Sequence, residues 1–262
     1  MKIFLQELKL GRKSLIIWTA SIIGTLLICI WMFPQMKSEL GPDGSLFENF
    51  GAFTAAFGMD RLNFGTMIGF YGIECGNILG MGGGMFAALL GISMLAKEEK
   101  DRTAEFLFTH PVSRLRVLNE KLAAVMAQII LLNVTVTLFS VLGILSVGEA
   151  VPFRELLLMH AAYLILQIEI AAFCYCVSAY LKRGNVGAGI GFALLLYFIN
   201  IIANISADVK FLKYVTPYAY CEAADIVNDK ALNSTFIILG FAYAAAALAV
   251  GYRKYLHKDI AA

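Results

Sequence analysis

The chain has 262 residues, of which 60% are hydrophobic and 15% are charged. This composition excludes an ordinary soluble domain, in which apolar residues make up about half of the chain and charged residues about a quarter. The formal net charge of +2 indicates little by itself, so the positions of the charges matter more than their sum.

Six long apolar stretches divide the chain. Five contain no Lys, Arg, Asp or Glu, and the sixth is interrupted only by Glu169. Each reaches the roughly 20 residues that an α-helix needs to cross about 30 Å of hydrocarbon. The sequence therefore predicts an all-α polytopic membrane protein with one transmembrane domain over residues 1–262. The predicted spans are residues 14–36, 75–96, 122–148, 156–181, 184–207 and 231–252.

The basic residues predict the orientation, because loops that stay in the cytoplasm carry an excess of Lys and Arg. With both termini inside, fifteen of the 21 basic residues fall on the cytoplasmic side and six on the outer side. We therefore expect a cell-membrane protein with both termini in the cytoplasm. The outer six are Lys37, Arg61, Arg154, Lys210, Lys213 and Lys230.

The first residues predict an amphipathic helix before the first span. Lys2, Lys9 and Lys13 share one helical face, and Phe4 and Leu5 lie opposite them. Such a helix is typical of a segment that lies flat in the inner interface before the chain turns into the membrane.

Residues 34–73 are predicted to lie outside the membrane. Their apolar pieces, residues 49–59 and 62–73, are too short to cross, so we expect them on the surface or dipping into the bilayer. The phenylalanines here either form an outer lid or anchor the segment in the interface, and the second is favoured. They are Phe47, Phe50, Phe53, Phe57, Phe64 and Phe70.

Small residues recur every four positions in two spans. This spacing lets helix backbones approach closely, so each row is predicted to pack against a helix of the same or a partner subunit. The packing positions are Gly76, Gly80 and Gly84, with Ala88 continuing the row, and Gly187 and Gly191 in the fifth span.

Residues 97–121, KEEKDRTAEFLFTHPVSRLRVLNEK, form the longest predicted cytoplasmic loop. Six basic and five acidic residues make it a mixed-charge surface and no nucleic-acid patch. Asp101 or Thr103 can cap a short helix that ends before Pro111, and Ser113 can cap the next helix. The short helix presents an apolar surface to lipid, to span ends or to another protein. That surface consists of Phe106, Leu107 and Phe108.

Glu169 is predicted near the middle of its span, since Lys182 lies thirteen residues after it and Arg154 fifteen before it. An ionised carboxylate at that depth is costly, so we expect it to be neutral, hydrogen-bonded or facing a wet cavity. A proton relay competes with a structural interhelical bond, and the bond is favoured. Its candidate partners are Asn133, Thr135, Thr137 and Gln167.

The cysteines and histidines of this chain do not indicate a metal or catalytic site. The five cysteines have no recurring pair spacing, and the three histidines are scattered, so no metal or catalytic site is expected. Near the end, residues 204–233 contain Tyr214, Pro217, Tyr218 and Tyr220, which fit an interfacial loop with a tyrosine belt.

The loop motif E-x-x-x-x-T-x-E-x-L-x-x-x-P-V-S-R resembles the cytoplasmic loop of permease subunits of ATP-binding-cassette (ABC) exporters, in the class with six spans that exports drugs, antibiotics or polysaccharides. A Gly usually precedes the Thr in that family, whereas Arg102 stands here. The stretches KYVTPYAYCEAADI and YRKYLHKDI also look like the family's endings. The motif residues are Glu98, Thr103, Glu105, Leu107, Pro111, Val112, Ser113 and Arg114.

The resemblance implies an N-terminal elbow helix, a cytoplasmic coupling helix, and short helices that re-enter from outside before the last span. It also implies two separate ATPase subunits that bind ATP and Mg, a second copy or sister permease, and an exported substrate. This chain would bind no cofactor. The implied ATPase-docking residues are Glu98, Asp101, Thr103, Glu105, Phe106, Leu107, Phe108, Pro111, Ser113 and Arg114.

Two alternatives stay open. A proton-coupled secondary transporter would use Glu169 as its relay, and a membrane resistance or sensor protein would transport nothing. An intramembrane enzyme is a weaker hypothesis, because no histidine constellation supports it.

Overall fold

The computed structural model describes residues 2–40, 51–101, 112–182 and 184–258. These residues form helices and turns and no β-strand, and six of the helices are long and apolar enough to cross a membrane. The predicted all-α polytopic fold is therefore confirmed. The first to sixth spans are Lys2–Leu40, Met67–Met94, Arg114–Ser146, Phe153–Tyr180, Val186–Ile205 and Ser234–Leu256.

The fourth span lies at the centre of the bundle. It packs along the second and sixth spans, while the first span packs along the third and the fifth along the second. Two of its buried tyrosines also donate hydrogen bonds to neighbouring backbone, Tyr175 to the Leu118 carbonyl at 2.8 Å and Tyr163 to the Cys221 carbonyl at 3.1 Å. The central span is thereby fixed to the elements around it at two depths.

The first and last described residues of the chain lie at the same end of the bundle. The backbone amides of Ile3 and Phe4 donate to Glu120 Oε2 at 3.0 and 3.1 Å, and Lys258 lies beside Glu99. We call this the terminal end, and we call the opposite end, which carries residues 51–66, 147–152 and 206–233, the distal end.

The first span differs from the predicted elbow followed by a separate span. One continuous helix runs from Lys2 to Leu40 and contains Pro34. Its first turn is held against the third span, because Glu120 accepts from two amides that have no partner within the helix. Gly11 also lies so close to Gln128 that a Cβ atom there would be 2.2 Å from Oε1. These contacts keep the N-terminal residues along the bundle.

The second span begins at Met67, eight residues before the predicted start, so most of the apolar piece at residues 62–73 belongs to it. The Thr66 hydroxyl caps this helix by accepting from the Gly69 amide at 3.2 Å. Glu74 therefore lies inside a span, as Glu169 does, and the sequence prediction missed it because the charge marked an apparent boundary. Residues Gly76–Met81 of the same span are π-helical.

The third span also starts earlier than predicted, at Arg114 instead of residue 122. The last eight residues of the predicted cytoplasmic loop, Arg114 to Lys121, are thus part of a long helix. The fourth, fifth and sixth spans have ends within four residues of the predicted ones.

Short helices cover the distal end. Arg61 joins two of these segments, because its guanidinium lies 2.6 Å from Glu222 and 2.6 Å from Asp225. Burial opposes this charge, but the two carboxylates outweigh burial and raise the pKa of Arg61 above its usual range. The short helices are Ala52–Ala56, Met59–Arg61, Ala207–Tyr214, Pro217–Cys221 and Ala223–Asp229.

The tyrosines before the sixth span do not form an exposed belt. Tyr218 and Tyr220 are buried, and only Tyr214 is largely exposed. The Tyr218 hydroxyl donates to the carbonyl of Gly80 at 3.2 Å, and Gly80 lies near the middle of the second span. This segment therefore packs into the bundle.

The phenylalanines of the distal end divide between core and surface. Phe64 and Phe70 are buried, and Phe53 is exposed. Phe47 and Phe50 lie outside the described residues, and the outer lid stays a prediction.

Candidate functional site

The predicted docking loop enters and leaves the bundle at the terminal end. Lys97–Lys100 is a short helix, Asp101 follows it, and Ser113 precedes the third span. We call residues 97–101 and 113–121 the loop roots. Six predicted docking residues lie outside the described residues, namely Thr103, Glu105, Phe106, Leu107, Phe108 and Pro111.

The second loop root begins with the predicted helix cap. The Ser113 hydroxyl accepts from the Arg116 amide at 3.3 Å, as the sequence predicts. The Arg114 guanidinium donates to the carbonyls of Leu256 at 3.1 Å and Lys258 at 2.7 Å. Carbonyls at a helix C-terminus have no partner within the helix, so Arg114 satisfies them and ties the root to the end of the sixth span.

Buried ion pairs join the two loop roots. The ammonium group of Lys121 is fully buried, donates to the Met94 carbonyl at 2.7 Å and pairs with Glu98. Its Nζ also lies 3.5 Å from Glu7 Oε1, and Glu7 pairs with Lys97. A buried charge is very costly without a partner, so these residues hold the first span and both roots together.

A fourth ion pair extends this arrangement to the chain after the sixth span. Lys258 Nζ lies 2.5 Å from Glu99 Oε1 and donates to the Leu181 carbonyl at 2.8 Å. Both side chains are nearly buried. We define the root cluster as the three carboxylates and three ammonium groups of Glu7, Lys97, Glu98, Glu99, Lys121 and Lys258.

The fourth span also contacts the first loop root. The Ser178 hydroxyl accepts from the amides of Leu95 at 2.9 Å and Ala96 at 3.2 Å, directly before the root. Ser178 is itself buried. Together with the root cluster, this bond connects the loop to every span except the fifth.

Sequence reasoning placed Glu98 and Arg114 at the docking surface but missed the cluster behind them. Lys121 is the last charged residue before the third apolar stretch, and Glu7 interrupts the apolar face of the first helix. A charged residue that interrupts an apolar pattern next to a span was the sequence signal that could have identified these residues as buried. The spacing of these residues along the chain, however, does not indicate that they meet.

Glu169 is buried, and its carboxylate lies against the sixth span at Gly240, where a Cβ atom would be 2.3 Å from both oxygens. In the described part of the chain, Oε1 has no hydrogen-bond partner. Tyr220 lies next to the carboxylate but does not make a hydrogen bond of good geometry with it. The structural interhelical bond favoured for Glu169 therefore stays a prediction, with Tyr220 as its nearest polar neighbour among the described residues.

The predicted partners of Glu169 bond elsewhere. Asn133 donates to Gln167 Oε1 at 2.7 Å, which links the third and fourth spans. Thr135 and Thr137 donate to backbone carbonyls of their own helix at 2.7 and 2.8 Å. A polar interhelical bond exists at this depth, but it is made by neighbours of Glu169.

The glycine row of the second span packs within the subunit, mostly against tyrosine side chains. A Cβ atom would lie 2.9 Å from the Tyr163 hydroxyl at Gly76 and 2.5 Å from the Tyr218 hydroxyl at Gly84. Gly80, between them, lies against the rings of both tyrosines.

The glycines of the fifth span behave differently. Gly187 and Gly191 are exposed, and nothing described lies within 4 Å of a Cβ atom at Gly191. Gly189 of the same span makes the close contact instead, against Ile92 and the Ala88 carbonyl. Within one subunit, the predicted packing of Gly187 and Gly191 is thus not observed, and packing against a partner subunit stays a prediction.

A comparison with protein families covers nearly the whole chain. The family model described as "ABC-2 family transporter protein" matches residues 1–260. None of the curated proteins compared with the chain matches it. The matched region includes the six spans, both loop roots and the root cluster.

Proposed function

The chain belongs to the ABC-2 family of transporter proteins, and we propose that it is the membrane-spanning permease subunit of an ATP-driven exporter in the cell membrane. ATP and Mg are bound by separate ATPase subunits, because the sequence contains no phosphate-binding loop: in the stretch Gly11-Arg12-Lys13-Ser14, Gln6 stands where a first glycine is needed if Gly11 is the second. A second copy or a sister permease completes the transporter.

The terminal end faces the cytoplasm in this proposal. Fifteen of the 21 Lys and Arg residues belong to segments that end or turn there, which fits the excess of basic residues in cytoplasmic loops. The loop roots and both chain termini are then on the side where ATP is available.

Residues 102–111 dock on the ATPase, and the loop roots carry its movement into the membrane. The observation that carries this proposal is the root cluster, in which buried ion pairs fix both roots to the first span and to the chain after the sixth. Packed elements joined in this way move as a rigid body and do not deform locally. Closure of the ATPase pair would therefore shift several spans together.

A charge placed in the apolar centre of the loop tests the docking step. We expect Phe106→Asp to abolish co-purification of the permease with its ATPase partner, because an aspartate cannot be buried in an apolar contact without a large desolvation penalty. Stimulation of ATP hydrolysis by the permease should be lost with it. Phe53→Asp is the matched control, since Phe53 is 56% exposed at the distal end.

Both variants must elute as monodisperse protein in detergent for the comparison to count. If Phe106→Asp co-purifies with the ATPase and stimulates it as the wild type does, the docking proposal is wrong.

Family membership favours this ATP-driven mechanism over a proton-coupled one at Glu169. The two differ in one measurement. Export by an ATP-driven transporter stops when the partner ATPase is inactivated, whereas a proton-coupled transporter keeps its activity and loses proton coupling in Glu169→Gln.

A further inference from the structure

A cavity of about 280 Å³ lies between the fourth, fifth and sixth spans and the segment before the sixth span. Its size is close to the lower end of the range for small-molecule sites, about 300 to 1,000 Å³. Most of its surface is apolar, and five aromatic side chains line it together with one carboxylate. These residues are Glu169, Phe173, Phe192, Tyr214, Phe236 and Tyr243.

Four of the five aromatic side chains form two pairs, and each pair joins two different elements that line the cavity. Phe173 and Phe192 have ring centroids 5.7 Å apart, and Tyr214 and Phe236 have centroids 5.2 Å apart in an edge-to-face arrangement. Tyr243 is 44% exposed and lies at the rim, so the cavity is accessible from the outside of the subunit. Aromatic rings attract cations through the negative charge on their faces, and the attraction is strongest where water is excluded.

Glu169 gives this cavity an uncompensated acceptor. Glu169 is 4% exposed, and among the described residues Oε1 has no hydrogen-bond partner of good geometry. The Tyr220 hydroxyl lies next to the carboxylate, but it is neutral and does not balance a negative charge there. Lys213 also lines the cavity, but its Nζ is 2.8 Å from Glu222 Oε1, and Glu222 is shared with Arg61. The cation already present is therefore bound to another carboxylate, and Glu169 remains available for a ligand.

The depth of Glu169 limits which cations reach it. It lies sixteen residues from Phe153 and eleven from Tyr180, or about 24 Å and about 16 Å along the helix axis. The charged headgroup of a lipid stays at the bilayer surface, and a small inorganic ion would lose its hydration shell in a mostly apolar cavity that offers few polar groups to replace it. A cation that is soluble in the membrane fits both the depth and the lining.

We propose that this cavity binds a lipophilic cation, with the positive charge beside Glu169 and the apolar part against the aromatic side chains. The binding site does not depend on an ATPase partner. That its occupant is the exported substrate rests on the proposed function.

Binding of phenyltrimethylammonium to the purified permease tests this proposal. The assay uses isothermal titration calorimetry in phosphatidylglycerol nanodiscs, with empty nanodiscs subtracted, so that no ammonium-bearing lipid competes. The matched probe is tert-butylbenzene, which has the same shape without the charge. We expect Glu169→Gln to raise the Kd for the cation at least about tenfold, because a charge pair in a low dielectric is lost, and to leave the Kd for the neutral probe unchanged.

Two further variants keep the outcome clear. Glu74→Gln is the control, because Glu74 is also an acidic residue within a span but does not line the cavity; we expect wild-type binding. Tyr243→Leu changes a rim residue without touching the buried carboxylate, and we expect it to raise the Kd for the cation about threefold. If Glu169→Gln does not fold, the Kd of Tyr243→Leu for the cation tests whether the cavity is the binding site.

The proposal is overturned if the wild type does not bind the cation, or if Glu169→Gln binds it as tightly as the wild type. It is equally overturned if the neutral probe shows the same dependence on Glu169, or if folded Tyr243→Leu binds the cation unchanged when Glu169→Gln is lost. Because no ATPase takes part, failure of the docking proposal would not alter these results.

Discussion

Lys121 has a fully buried side chain although the sequence placed it on a solvated loop. The reason lies in its partners: Glu98 and Glu7 come from two other elements, and the Met94 carbonyl from a third position, so the ammonium group is surrounded by acceptors. Taking two charges out of water is tolerated only when the geometry of the pair is good and further hydrogen bonds satisfy the remaining groups.

Replacing Lys121 by methionine should destabilise the protein strongly. The methionine fills a similar volume, but it leaves Glu98 and Glu7 buried without their common partner, which costs about 3–5 kcal/mol in comparable buried pairs. We expect a clearly lower Tm in detergent. Lys100→Met is the control, because Lys100 is exposed on the same loop root and its loss should change the free energy of unfolding by less than about 0.5 kcal/mol.

A double variant separates the loss of the Glu98–Lys121 ion pair from unspecific destabilisation of the protein. If the cost arises from the unpaired carboxylate, Glu98→Gln combined with Lys121→Met should be less destabilising than the two single changes added together. Equal Tm values for Lys121→Met and Lys100→Met would show that the root cluster contributes nothing to stability.

Among the helices, the ends of the first and second spans differ most from the sequence prediction. The charge of Glu74 made Cys75 appear to be the first residue of the second span. The helix instead begins at Met67, is capped by Thr66 and includes Glu74. Hydropathy finds the apolar centre of a span, whereas its end is decided by capping groups and by contacts with neighbouring helices. The first span is continuous for the same reason, since Glu120 of the third span holds its first turn.

The fifth span carries the prediction about a partner permease. Gly191 is exposed, and nothing described lies within 4 Å of a Cβ atom placed there. The same open space is found next to Gly24 of the first span. If the fifth span packs against a second permease, Gly191→Leu should convert the dimer into a monomer, because a large side chain prevents close helix approach. Gly24→Leu is the matched control and should leave the dimer intact.

Crosslinking in membranes followed by size analysis measures this difference. A dimer that persists in Gly191→Leu would place the contact between permeases on another face.

At the scale of the whole molecule, the terminal end and the distal end of the bundle carry different features. The described chain ends, Lys2 and Lys258, and both loop roots meet at the terminal end, while the distal end carries the short helices and the ion pairs of Arg61. The root cluster therefore connects the loop roots to most of the bundle. The cavity at Glu169 lies in the distal half of the bundle, because the sixth-span residues that line it are in the first half of Ser234–Leu256.

Cysteine labelling in intact cells tests the orientation. In a background without the native cysteines, Asn228→Cys at the exposed distal end should react with a membrane-impermeant maleimide, and Lys100→Cys should react only after the membrane is permeabilised. The background without an added cysteine is the control. The reverse pattern would place the docking loop outside the cell, where no ATPase can bind it.

The amino-acid order determined that this is a six-span membrane protein, because apolar stretches of sufficient length have no other stable environment, and it determined that Ser113 caps the third span. It also marked Glu169 as unusual. Only the tertiary structure decided that Lys121, Glu7 and Glu99 belong to one buried cluster, that Asn133 bonds to Gln167, and that Glu169 faces an aromatic cavity. Hydropathy depends on residues that are adjacent along the chain, whereas a buried charge depends on partners that come from distant helices and meet only when these pack.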